Sequence, residues 1–314
     1  MTVGAGMAVS WPILVILGPT GSGKSALAFD VAQQIGGQIL SADSMQVYRG
    51  MDIGTAKPSQ VQQAAVRHHL IDVVNPDERF TVARFVELAD AAIAQAAQAA
   101  VPLIVAGGTP LYYKALFEGL FDGPPADADL RQRLRMLPAD ELTRRLAIVD
   151  PAAASRIHIN DNKRLVRALE VSELTGKPIS SFQTDWSAGR FRHKALWLGL
   201  HWDREVLNRR LNARVKAMLA AGWLEETREL LKTYGSLSGT AAEATGYHEL
   251  IQHLDGKMPL DDATERIKIA TRQLARRQMK WFRRWPQIRW LAGDQAPDQL
   301  TSEALRLWKE PATR

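Results

Sequence analysis

Gly18-Pro19-Thr20-Gly21-Ser22-Gly23-Lys24-Ser25 sets two glycines five residues apart and follows the second with a lysine and a hydroxyl. This is the GxxxxGK[ST] spacing of a phosphate-binding loop. Gly18 and Gly23 can take backbone conformations that a Cβ forbids, so successive N–H groups can turn inward toward an anion. Ala26-Leu27-Ala28-Phe29 reads as the start of a helix, whose N-terminus adds partial positive charge. Lys24 supplies a point charge for a terminal phosphate, and Ser25 a hydroxyl for an accompanying Mg²⁺. The bland alternative is an ordinary glycine-rich turn.

Asp43 is the second group of interest. It directly follows the strand-like Gln38-Ile39-Leu40-Ser41-Ala42, and ligands of parallel α/β sheets sit outside the carboxyl ends of the strands. A carboxylate there can act as a general base, support a Mg²⁺ ion, or simply cap a turn. Pro102-Leu103-Ile104-Val105-Ala106 reads as a buried strand but closes with Gly107-Gly108-Thr109 rather than an acidic residue. The lack of that acid argues against a motor or switch NTPase and toward group transfer; Asp72 in His69-Leu70-Ile71-Asp72 is a weak substitute. Thr109 is a polar contact or a helix cap.

Arg210 and Arg214 are four residues apart on one predicted helix and share a face, as a pyrophosphate clamp or a solvated stripe. Lys163, Arg164 and Arg167 group in the same way. Arg266 to Arg289 holds nine Lys/Arg and no Asp or Glu, interleaved with Trp281, Phe282 and Trp285. Such charge tracks phosphates and such rings stack on unpaired bases, although the tryptophans suit a core stripe equally well. His68 and His69 read as structural.

The elements that must position these groups alternate. A strand at 13–17, a helix at 25–35, strands at 38–42 and 69–73, a helix from its cap Thr81 to Ala100 and a strand at 102–106 predict a parallel sheet flanked by helices. Met51 to Pro58 is loop-like. From Phe121 to Arg192 no strand signal occurs, and it returns at Ala195–Leu200, so 121–194 is read as a helical insertion. Beyond 200 the reading is helical throughout: 203–221 capped by Asp203, 223–234, and 262–285 with Ile267, Ala270, Leu274, Trp281 and Phe282 on one face. The domains are therefore 11–120 with 195–314 as an α/β core and 121–194 as the insertion.

With 314 residues the chain can bury a full core, and 46% hydrophobic with 24% charged residues is ordinary for a globular protein. A net charge of +6 suits a polyanionic partner. Zero cysteines exclude disulfides, thiolate nucleophiles and cysteine-ligated zinc, and fit a reducing cytoplasm. Trp11–Leu17 is too short to span a bilayer, and the first ten residues read as a loose leader. No membrane association is expected.

The loop at 18–25, then Asp43-Ser44-Met45-Gln46-Val47-Tyr48, Met51 to Pro58, and Gly107-Gly108-Thr109 with Leu111-Tyr112 occur together in that order. Later come Arg156-Ile157-His158, Asn160-Asp161, Lys163-Arg164-Leu165, Arg214-Val215 with Met218, Gly246-Tyr247, and Thr271 to Gln278. In these pieces the chain resembles the bacterial tRNA dimethylallyltransferases, from about residue 12 to 290. Thr245 stands where the family has an aliphatic residue, and His248 where it has Lys or Arg.

The resemblance implies a P-loop NTPase-like α/β fold with a helical insertion and a helical C-terminal part. It implies a cytoplasmic, monomeric, Mg²⁺-dependent enzyme that moves a prenyl group from dimethylallyl diphosphate to N6 of adenine 37, beside the anticodon of tRNA. Carried over by position, Gly18, Pro19, Thr20, Gly21, Ser22, Gly23, Lys24 and Ser25 with Arg210 hold the diphosphate, and Ser25 its Mg²⁺. Asp43 is the expected base, with Thr109, Lys24 and Arg214 beside it. Asp43, Ser44, Met45, Gln46, Thr109, Arg131, Lys163, Arg164, Leu165, Val166, Arg167, Gly246 and Tyr247 are expected to meet tRNA. The competing readings are a metabolite kinase, a prenyltransferase acting on free adenylate, and a non-catalytic RNA-binding module.

Overall fold

The structure is a computed structural model and describes residues 13–120, 123–182 and 191–310. The expected leader, Trp11, and the opening Phe121-Asp122 of the insertion lie outside the described residues. Strands β1 (Ile13–Leu17), β2 (Gln38–Ser41), β3 (His68–His69), β4 (Leu103–Gly107), β5 (Leu196–His201) and β6 (Arg289–Ala292) form one sheet in the order β3-β2-β4-β1-β5-β6. Every pairing is parallel, with β1 central between β4 and β5. All residues of β1 and β4 are buried. A strand covered on both faces has no solvent side, which is why these two read as unbroken apolar runs rather than alternating ones.

Helices α1 (Lys24–Ile35), α2 (Gln60–Ala65), α3 (Val82–Gln98) and α4 (Pro110–Glu118) connect the first four strands or follow them. Thr81 caps α3 through its side chain, which accepts the Arg84 N–H. Between α4 and β5 come only helices among the described residues: α5 (Ala128–Arg135), α6 (Ala139–Val149), α7 (Pro151–Ala154), α8 (Asn162–Thr175) and α9 (Ile179–Phe182). The remainder comprises α10 (Arg204–Ala220), α11 (Trp223–Tyr234), α12 (Gly239–Ala242), α13 (Tyr247–Leu254), α14 (Leu260–Phe282) and α15 (Pro297–Lys309). Asp203 caps α10 by accepting the Glu205 and Val206 N–H groups. Among the described residues, no helix is long and apolar enough to cross a membrane.

The chain divides into two compact units, Met1–Leu116 with His193–Arg314, and Phe117–Arg192. In the first, leucine, isoleucine and alanine side chains of β1, β4, β5 and α1 pack with Leu300, Ala304, Leu307 and Trp308 of α15. In the second, Leu130, Leu134, Leu142, Leu146, Leu165 and Leu169 make a separate core.

Two expectations of local structure need correcting. The strand expected at 69–73 is only His68–His69, because Leu70 and Asp72 take left-handed backbone conformations (φ 64° and 55°) that no ladder accommodates. The region beyond 200 is not purely helical either. Arg289–Ala292 pairs with β5 as an edge strand; only one of its four residues is buried, so its apolar signal is thin.

Candidate active site

The glycine-rich loop runs from the end of β1 into α1. Gly23 has φ 93° and caps α1 with no side-chain hydrogen bond, so the first-turn amides have no side-chain acceptor supplied by the cap. Gly18 is needed for a different reason than expected. Its backbone is outside the left-handed region, but a Cβ there would come within 2.8 Å of Ser22 Oγ and 3.2 Å of the Leu200 carbonyl. The loop is held from outside by α10 and its approach: Arg210 Nε donates to the Gly21 carbonyl at 2.7 Å, and Trp202 Nε1 to the Ser22 carbonyl at 3.0 Å.

Lys24 is buried, with Nζ 3.4 Å from the Pro19 carbonyl. Burial pulls its pKa down to about 8; the Asp43 carboxylate opposes that shift and the Arg214 guanidinium adds to it. Arg214 is itself lowered by burial, with Asp43 pushing it back up. Asp43, Lys24 and Arg214 therefore feel one another electrostatically, as two cations around one carboxylate.

Asp43 follows β2 and does cap a turn: Oδ1 accepts the Met45 N–H at 2.9 Å. It nevertheless lines two cavities of this unit. Thr109 joins the ends of β2 and β4, with Oγ1 accepting the Ser44 N–H at 3.0 Å and its own N–H bonded to the Ala42 carbonyl at 3.2 Å. Asp72 plays no part here. Its carboxylate is engaged by Lys57, 2.6 Å away, and lines neither cavity.

One cavity, of about 500 Å³, is bounded by Gly21, Gly23, Ser25, Gln46 and Arg210. The other, of about 430 Å³, is bounded by Ser44, Met45, Thr109, Tyr247, Arg277 and Trp281, with Leu274 and Met218 adding apolar wall. Thr20, Lys24, Asp43, Thr55 and Arg214 belong to both. One side is thus rich in loop amides and cationic, the other partly apolar and aromatic, and the carboxylate lies where they meet. The wall at 52–55 is fixed by Glu226, whose carboxylate accepts N–H groups from Asp52, Ile53 and Gly54 and the Tyr247 hydroxyl at 2.6 Å.

The sequence-predicted residues separate into groups. Gln46 is buried and pins the loop by donating to the Thr55 and Ala56 carbonyls, both at 3.3 Å. Gly246 caps α13, and Tyr247 is buried with its hydroxyl engaged by Glu226. In the helical unit, Leu165 and Val166 are core residues, so their side chains cannot offer a surface to RNA. Arg131 and Arg167 both bind the fully buried Glu170, at 2.8 and 2.6 Å. Burial pushes the Glu170 carboxyl up, but those two guanidinium groups and the Asp127 N–H outweigh it and hold the carboxyl below its ordinary range. Lys163 and Arg164 are exposed on α8, Arg164 paired loosely with Asp161 at 3.4 Å. His68 and His69 bond to the Val66 carbonyl and the Gln38 side chain.

Sequence reasoning placed Arg277 only within the basic run, quoted Thr271 and Gln278 only as part of the resemblance, and did not single out Trp223; all four line the second cavity. For Thr271 and Gln278 the signal was the helical spacing of 271, 274, 278 and 281, which puts those positions on one face. Trp281 lines this cavity, whereas Phe282 and Trp285 are buried in the core with Tyr113. Among the described residues, no group of three His, Cys, Asp or Glu could hold a metal ion.

Residues 46–285 match the family model described as IPP transferase. The chain belongs to the IPP transferase family. It is 48% identical over 283 residues to the tRNA dimethylallyltransferase of Geobacter metallireducens, covering 89% of this chain and 92% of that one. It is 47% identical over 307 residues to that of Symbiobacterium thermophilum, covering 95% of each. The solved tRNA isopentenylpyrophosphate transferase of Bacillus halodurans superimposes with a TM-score of 0.70 at 32% identity, over 96% of this chain and 97% of that one. A eukaryotic dimethylallyltransferase acting on tRNA gives a TM-score of 0.78 at 31% identity, over 90% of this chain and 73% of that one. The IPP transferase fold is accordingly the parallel sheet with flanking helices described above.

Proposed function

We propose that this chain transfers a dimethylallyl group from dimethylallyl diphosphate to N6 of adenine 37, next to the anticodon of tRNA, and releases diphosphate. The observation that carries this reading is the pair of cavities that meet at Asp43, Lys24 and Arg214. A kinase of a small metabolite has no use for the second cavity walled by Trp281 and Arg277, or for the exposed Arg276, Lys280, Arg283 and Arg284 nearby in the chain.

In the reaction the N6–C1 bond forms as the C1–O bond to diphosphate breaks, and one N6 proton must leave. The N6 lone pair is delocalised into the ring, so a base that takes the proton as the bond forms lowers the barrier. Asp43 does this. Charge grows on the leaving diphosphate, where loop amides, Lys24 and Arg214 receive it. A diphosphate also favours the Lys24 ammonium, whose pKa burial lowers to about 8. The hydroxyl of the exposed Ser25, which lines the loop-side cavity as Asp43 does, is a hard oxygen donor that suits Mg²⁺. Mg²⁺ held there would neutralise part of the leaving group's charge.

Adenine 37 leaves its stack to reach the second cavity, where the Trp281 ring, with the Arg284 guanidinium 5.6 Å from its centre, stacks on it. The exposed cations of α14, together with Lys163 and Arg164 of the helical unit, track the RNA phosphates. Incubation with labelled dimethylallyl diphosphate and either bulk tRNA, AMP or ATP tests the reading. Label in tRNA alone is expected; label in AMP or ATP alone refutes it in favour of a free-nucleotide acceptor.

A further inference from the structure

We propose that Gln278 is a positioning residue of the transfer site, fixing the glycine-rich loop to the tip of β4 and so setting the distance from leaving group to acceptor. This rests on the prenyl transfer proposed above. Gln278 lies on α14 between exposed cations, yet it is only 7% exposed. Its Oε1 accepts the Thr20 N–H at 2.8 Å, and its Nε2 donates to the Gly108 carbonyl at 2.6 Å. An amide alone among side chains of this length offers both an acceptor and a donor there. A lysine cannot accept from Thr20, and a carboxylate cannot donate to Gly108.

The contacts continue in both directions. On the loop side, Thr20 follows Pro19, whose carbonyl faces Lys24 Nζ. On the β4 side, Gly108 precedes Thr109, which holds Ser44 next to Asp43. Gly108 leaves room for this approach, because a Cβ there would lie 2.6 Å from Nε2 and push the amide aside. The cation that faces the diphosphate and the carboxylate that faces the amine are therefore registered through one side chain. Gln278 engages the Thr20 N–H and the Pro19 carbonyl that of Ser22 at 3.1 Å, so neither of these two amides is left to cradle the anion. Arg277 and Trp281 of the same helix line the acceptor cavity.

Gln278→Met keeps the length of the side chain and removes both bonds. An error of about 1 Å in reacting geometry costs about 10²-fold in rate. We expect kcat to fall by about 10-fold to 10²-fold, with KM for tRNA and for dimethylallyl diphosphate, and Kd for inorganic pyrophosphate, within about threefold of wild type. Gln278→Glu keeps the acceptor for Thr20 and loses the donor to Gly108, and its kcat should fall between the two; it decides the matter if the Met variant does not fold. Amide hydrogen exchange at Thr20 reads the strap without turnover, and should accelerate in the Met variant. Unchanged exchange at Thr20, or a kcat within about twofold of wild type per folded molecule with only the melting temperature lowered, overturns the proposal. A wild-type enzyme that fails to prenylate tRNA while Thr20 exchange responds as expected refutes the transfer reading and leaves the strap standing.

Discussion

Burial of the Lys24 ammonium can be read as a pH dependence. Its pKa of about 8 lies below the ordinary value of 10.5. At about 1.4 kcal/mol per unit this is a cost to the ligand-free fold of about 3 kcal/mol. Below pH 8 the lysine is charged in both folded and unfolded chains, and the fold carries the full cost. As pH rises through 8 the folded form releases its proton while the unfolded chain keeps it until about 10.5, so stability rises across that window. Lys24→Met has no proton to lose, and other titrations largely cancel when the two proteins are compared. Urea unfolding at pH 7, 8, 9 and 10 should therefore show wild type gaining stability on the variant, approaching about 3 kcal/mol by pH 10 to 10.5. Binding of inorganic pyrophosphate should show the opposite slope, because the bound anion needs the ammonium. Wild-type affinity should fall by up to about tenfold per unit above pH 8, and the variant should bind weakly with little of that slope. A stability difference that stays flat from pH 7 to 10 would mean that the ammonium is solvated, and that this account of the loop is wrong.

Asp43→Asn should cut turnover by about 10²-fold to 10⁴-fold with tRNA affinity within a few-fold, and near wild-type single-turnover rates would remove Asp43 from the mechanism. Trp281→Ala should weaken tRNA binding by about 5-fold to 10²-fold, the worth of one base stacked on a ring, as read by titration of an anticodon stem-loop; equal affinity would assign Trp281 to packing. Lys163→Ala with Arg164→Ala should flatten the dependence of log K on log salt by about 0.7–0.9 per lost phosphate contact, with the rate at saturating tRNA kept; superimposable salt curves would make that face of α8 a solvated one. Glu170→Gln should destabilise the helical unit by about 3 kcal/mol, because it leaves Arg131 and Arg167 facing a neutral group; hydrogen exchange of α5 and α8 measures it, and unchanged protection would refute the buried-pair reading.

Much of this protein is settled by local sequence. Apolar runs at 13–17 and 102–106, short and closed by glycine, read as buried strands, and Thr81 and Asp203 place helix starts because their side chains satisfy orphan N–H groups. The loop at 18–25 is legible because anion binding by backbone amides demands glycine at fixed spacing. Asp43 is legible because it ends a strand of a parallel sheet. What local sequence does not encode is which long-range partner each polar group meets. Arg167 and Lys163 look alike in sequence, yet one closes on buried Glu170 and the other lies on the exposed face of α8. Trp281 and Trp285 are four residues apart, yet one lines a cavity and the other packs in the core, because α14 ends at Phe282 and the chain turns before Trp285. Gln278 shows the same limit most plainly, since Thr20 and Gly108 are 258 and 170 residues away along the chain. A hydrogen bond between such distant groups is a property of how the sheet and helices close on one another, and no local pattern of residues records it.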